Sequence, residues 1–222
     1  MSAPTLDAPS EVEEKPLMRG RLHQVAFFLA IPAGIALIMA AGSTTARIAA
    51  AIYSISLCGL FGASAAYHTG SWSDKARLRM KRLDHSMIFI LIAGTYTPFA
   101  LLVVKGTWGH VLLGLVWVGA LVGVTLKIVR IDGFEMLGGT LYIVLGWMAL
   151  LALPKMLHNL TVAQLALIFT GAITYTLGAV VLRLNKPNPS PRVFGYHEVW
   201  HTATIIAAAC FYVVMMEILL GS

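Results

Sequence analysis

Charge is scarce in this chain of 222 residues. Asp, Glu, Lys and Arg together make up 12% of it, about half of what a soluble domain carries, and apolar residues reach 58% where roughly 45–50% is usual. That balance excludes an ordinary water-soluble domain. Cysteine is nearly absent: Cys58 and Cys210 are the only two, each inside an apolar run, so neither a disulfide framework nor a cysteine zinc knuckle is expected. No repeat with a period of roughly 20–50 residues recurs, and the loops are too short for a second domain. The opening residues MSAPTLDAPSEVEEKPLMRG are polar and lack the apolar core of a signal peptide. They read as a disordered cytosolic tail over 1–21. The net charge of +6 falls in short loops, which points to membrane topology rather than to a nucleic-acid partner.

What is present is a series of long apolar runs. A membrane span needs about 20 mostly apolar residues, and seven runs meet that length: 22–42, 47–68, 84–104, 108–129, 134–153, 160–182 and 197–220. The fifth is the weakest, short and closed by Pro154. Small residues such as Gly119 with Gly123, and the Gly138–Gly139 pair, allow helices to approach closely in lipid. The fold class is therefore all-α: a polytopic membrane protein built as a seven-transmembrane helix bundle. With the N-terminus inside, 13 of the 16 Lys and Arg residues fall on the cytoplasmic side. The positive-inside rule then gives N-terminus inside and C-terminus outside.

Histidines concentrate at one depth. His110 and His158 lie toward the outer side. His23, His68, His85, His197 and His201 lie near the inner ends of spans one, two, three and seven. Residues four apart share a helix face, so Ser64 pairs with His68 and His197 with His201. Three imidazoles from His68, His197 and His201 plus a water make the open tetrahedral site typical of catalytic zinc. Asp84, opening span three, accepts a hydrogen bond from that water rather than binding metal. Ionisable groups inside spans are costly and face the protein interior, which favours a shared site. His85 points about 100° from Asp84 on a helix and is left out of the ligand set. His23 and His110 read as interfacial residues. Ser64 reads as a helix-packing hydroxyl or as a contact to the site.

The segments SAAYH at 64–68, RLDHSMIFILIAGTYTP at 82–98 and YHEVWH at 196–201 together resemble the hemolysin III family. That family is the bacterial branch of the progestin and adipoQ receptor superfamily, which includes the adiponectin receptors and is grouped with alkaline ceramidases. The resemblance covers the whole membrane region in the same order. It implies zinc held by His68, His197 and His201 near the cytoplasmic face, with Asp84 near a zinc-bound water and Ser64 beside it. The first span departs from the family pattern: RGRLHQ keeps a histidine, His23, but not the Asn and Thr that often precede it, so no role is carried to that segment.

Several functions are compatible with this pattern. Hydrolysis of a membrane lipid amide or ester, with Asp84 as general base, is the leading expectation, and the partner is then a lipid substrate or ligand of the plasma membrane. HExxH at 197–201 also matches a metalloprotease device with Glu198 as base; alternatively, Glu198 sits at a helix N-terminus, where the dipole favours a carboxylate. A receptor or regulator of membrane homeostasis with structural zinc, and a cytolysin, are the further alternatives.

Overall fold

The computed structural model describes residues 15–131 and 135–221. The N-terminal part of the expected tail, 1–14, lies outside the described residues. Its last part does not behave as a free tail: residues 15–20 pack against the bundle, and Leu17 and Met18 donate backbone N–H groups to Arg192 and Val193 carbonyls at 3.0 and 3.1 Å.

The described residues form helices and no strand, apart from an isolated bridge between Ser190 and Phe194. The helices are α1 (Arg21–Ala40), α2 (Thr44–Thr69), α3 (Asp74–Pro98), α4 (Gly106–Val129), α5 (Glu135–Trp147), α6 (Leu153–Asn159), α7 (Val162–Leu184) and α8 (Tyr196–Leu220). Together they provide seven segments long and apolar enough to cross a membrane. Large apolar side chains such as Phe28, Met39 and Ile55 point outward, well exposed. An outer surface of this kind suits lipid and is rare on soluble monomers.

Local chemistry explains where the elements begin and end. Ser43 caps α2 by accepting from the Ala46 N–H. Thr161 and Gln164 form a reciprocal capping box at the head of α7, and Asn185 closes that helix in the left-handed conformation that Asn tolerates. α3 starts at Asp74, well before the expected 84. Its charged first turns, DKARLRMKRL, fail an apolarity criterion, but Lys, Arg, Leu, Met and Ala are all good helix formers. The third span therefore carries a basic helical extension. At its other end a π-helical turn, Phe99–Val104, follows Pro98.

The fifth span is two helices joined by a break. α5 gives way to a 3-10 turn at Met148–Ala152, and α6 continues to Asn159. Pro154 does not close the span as expected. It sits in the first turn of α6, where its missing N–H has no partner to lose. In lipid, backbone groups freed by a break must be satisfied by the protein. The Tyr96 hydroxyl does this twice: it donates to the Gly146 carbonyl at 2.8 Å and accepts from the Ala149 N–H at 2.7 Å.

The helices follow one another around a ring in which α1, α2, α3 and α4 pack side by side, α7 packs on α8, and α8 returns to α1 and α2. α5 packs only lightly on its neighbours. α2 and α3 are the most enclosed spans. They meet at Gly94, where an added Cβ would collide with the Ser56 side chain, itself hydrogen-bonded to the Tyr53 carbonyl at 2.7 Å. Gly94→Ala is expected to destabilise the bundle by about 1–3 kcal/mol, the usual cost of overpacking. Gly114→Ala, at an open position on α4, should leave the apparent Tm in detergent unchanged.

Candidate metal centre

Three imidazoles converge at one end of the bundle. His68 sits in the last turn of α2, and His197 and His201 occupy the first two turns of α8. Nε2 of His68 lies 3.2 Å from Nε2 of His197. Ring centroids are 4.7 Å apart for His68 and His197, 5.1 Å for His68 and His201, and 4.6 Å for His197 and His201. One ligand atom from each ring falls within 4.8 Å of the other two. The helix period places His197 and His201 on one face, and α2 meets α8 at that face.

The donor set suits a divalent transition-metal ion. Zn–N bonds are about 2.0–2.1 Å, so tetrahedral geometry places two nitrogens about 3.3 Å apart. The His68–His197 separation already has that value. Nδ1 of His201 is buried without a hydrogen-bond partner, a costly state for an imidazole nitrogen that coordination at that nitrogen would offset. The cluster could therefore hold a metal ion.

Asp84 stands beside the cluster, not within it. Its Oδ2 is 3.9 Å from Nε2 of His68 and 3.7 Å from Nδ1 of His85. Ser64, one turn before His68 on the same face, lines the same cavity as Asp84. His85 is engaged with its own helix, its Nδ1 2.8 Å from the Lys81 carbonyl. His110 and His158 are exposed and far along the chain from this end. A cavity of about 540 Å³ opens from the site. Ser64, Asp84, His197 and His201 line one end of it, and apolar residues such as Leu112 and Met156 line the other.

One residue differs from its sequence-based reading. His23, expected at an interface, is buried and stacks on His201, with centroids 3.8 Å apart and planes at 12°. The available signal was its depth, shared with the other inner histidines. Glu198 is fully buried and both its oxygens are engaged: Oε1 with Arg19 Nε at 2.5 Å, Oε2 with the Gly195 N–H at 2.8 Å. That is the bonding of a helix-terminal carboxylate rather than of a general base facing a metal. Arg19 had no signal in the sequence, because nothing in its spacing ties it to a residue so far along the chain. Nearby Lys15 has its ammonium pKa held below the ordinary value, by partial burial first and then by Arg77 and Arg19.

Seven apolar spans enclosing a tri-histidine cluster at one end define a polytopic membrane protein with a candidate metal centre. The chain belongs to the family described as Haemolysin-III related, which matches residues 12–212. It is 34% identical over 193 residues to the Hemolysin-3 homolog of Bacillus subtilis (strain 168), covering 86% of this chain and 87% of that protein. It is 32% identical over 201 residues to Hemolysin-3 of Bacillus cereus, covering 89% of each. Over 181 residues it is 27% identical to the human Monocyte to macrophage differentiation factor, covering 79% of this chain and 72% of that one.

Elemental analysis of the purified protein should find stoichiometric bound metal. His68→Ala and His201→Ala should each lose it, while Asp84→Asn should keep it.

Proposed function

We propose that the chain is a zinc-dependent hydrolase of a membrane lipid amide or ester. It works in a plasma membrane, with the N-terminus and the metal centre at the cytoplasmic face. The observation that carries this reading is the Asp84 carboxylate, 3.9 Å from the His68 ring, beside the three histidines at the head of a largely apolar cavity. A purely structural metal needs neither a neighbouring carboxylate nor a cavity. The orientation is supported by basic residues at the same end: the α3 extension, Lys127, Arg130, Arg183 and Arg192.

His68, His197 and His201 would hold the ion, which supplies Lewis acidity toward water and a carbonyl. The remaining chemistry belongs to the chain. Asp84 takes the proton of the attacking water and returns it to the departing amine or alcohol. Ser64 lines the cavity beside Asp84, where its hydroxyl would donate to the carboxylate or to the carbonyl oxygen of the substrate. The apolar cavity accepts hydrocarbon and excludes bulk water, so charge developing near the histidines is poorly screened. His197 and Trp200 also line the cavity and border the position of the scissile group.

Purified protein in nanodiscs, offered a panel of lipid amides and esters, should release fatty acid. Asp84→Asn should lower that turnover by about 10²–10⁴-fold, the range for loss of a general base, with zinc retained. Equal turnover by Asp84→Asn removes the carboxylate from the mechanism. Retained zinc with no cleavage across the panel favours instead a metal that ties α2 to α8.

A further inference from the structure

Glu198, next to His197 in the chain, is fully buried and paired with a partly buried Arg19. We infer that residues 15–20 form a clamp on the metal centre, in which Arg19 and Glu198 act as positioning residues for His197 and His201. This rests on the metal reading of the histidine cluster but not on any particular reaction.

The clamp begins at the end of α2. Lys15 Nζ donates to the carbonyl of His68 at 2.6 Å, satisfying one of the backbone acceptors that a helix C-terminus leaves open. Leu17 and Met18 then bond through their backbone N–H groups to Arg192 and Val193, in the loop that delivers α8. Gly20 follows in a left-handed conformation, with φ of 80°, which favours glycine. Space demands glycine as well: a Cβ there would stand 2.6 Å from the His68 Cβ and 3.0 Å from the Thr69 Cγ2. The chain thus lies directly on a ligand-bearing residue. One turn later α1 delivers His23 onto the ring of His201.

Arg19 fixes the other side. Glu198 is 0% exposed, and an ionised carboxylate so enclosed is stable only when paired and hydrogen-bonded. Arg19 supplies the charge and Gly195 the second hydrogen bond. Glu198 lies about 100° around the helix from His197. Anchoring it on the flank therefore sets the roll of the first turn of α8, and with it the direction of both imidazoles one turn apart. A short segment before α1 in this way holds the ligand-bearing ends of α2 and α8 in register.

The test measures zinc affinity by chelator competition on full-length protein in detergent, together with the absorption spectrum of the cobalt(II)-loaded form. Folding is followed by circular dichroism and gel filtration. Variants are Arg19→Lys, which keeps the charge, Gly20→Ala, and the double variant Arg19→Met with Glu198→Gln, which leaves no orphaned charge. Gly20→Ala and the double variant should bind zinc about 10–100-fold more weakly, as outer partners of metal ligands commonly do, and should shift the cobalt spectrum. Arg19→Lys should fall between them and the unaltered protein. Unchanged affinity and spectrum in folded Gly20→Ala and Arg19→Lys overturn the clamp, whatever the double variant does. So does a Glu198→Gln variant with unchanged zinc affinity and no turnover at saturating zinc, since that is the behaviour of a general base. If the unaltered protein binds no metal, the metal reading falls and the clamp with it; if it binds zinc and the variants match it, only the clamp falls.

Discussion

Inside a bilayer a polar group must find its partner within the protein, because lipid offers none. That requirement organises this molecule more than any apolar contact does. Leucine gains nothing by leaving hydrocarbon for a hydrocarbon-like interior, so helix association leans on close packing and on polar groups. The polar groups here are collected rather than scattered. Ser64, His68, Asp84, Glu198 and His201 gather at one end of the bundle, all but Asp84 within the buried core. Each is placed by a helix that would otherwise have little reason to adopt one rotation over another. The site and the fold thus specify each other.

The Tyr96 hydroxyl shows the same rule working far from the histidines. Breaking the fifth span frees backbone groups at Gly146 and Ala149, and one phenol answers both. Trp147, next to the break, donates its indole N–H to Thr176 on α7 at 3.1 Å. α5 packs lightly on its neighbours, so these directed bonds hold it where broad contact does not. The cavity exists in the space that this light packing leaves, bordered by α3, α5, α7 and α8.

Much of this was legible in the sequence because the bilayer imposes a simple code. Length and apolarity gave seven spans, and a shared depth with four-residue spacing brought His68, His197 and His201 together. The placement of Asp84 and Ser64 beside them was legible for the same reason. The helix ends were less so. Apolarity reports where lipid begins, not where the helix stops, so the charged turns Asp74–Leu83 and the passage through Pro154 were misjudged. Contacts made by loops were out of reach. Arg19 meets Glu198 only because the chain before α1 turns through Gly20, and a left-handed glycine carries no signature of the surface that it lies against. His23 was undervalued because, taken singly, a histidine near a span end has many ordinary explanations.

The distribution of the histidines along the chain sets an order of assembly. His68 closes the second span, while His197 and His201 open the last. During synthesis the first of these rings enters the membrane while most of the polypeptide has yet to be made. It stays without its companions until the final hydrophobic segment is delivered by the translocation machinery. A chain truncated ahead of that segment retains six spans' worth of greasy helix but not the pocket for the ion. A metal ion held by all three rings would therefore be captured late in biogenesis, and a loaded centre would mark a molecule whose insertion has run to completion.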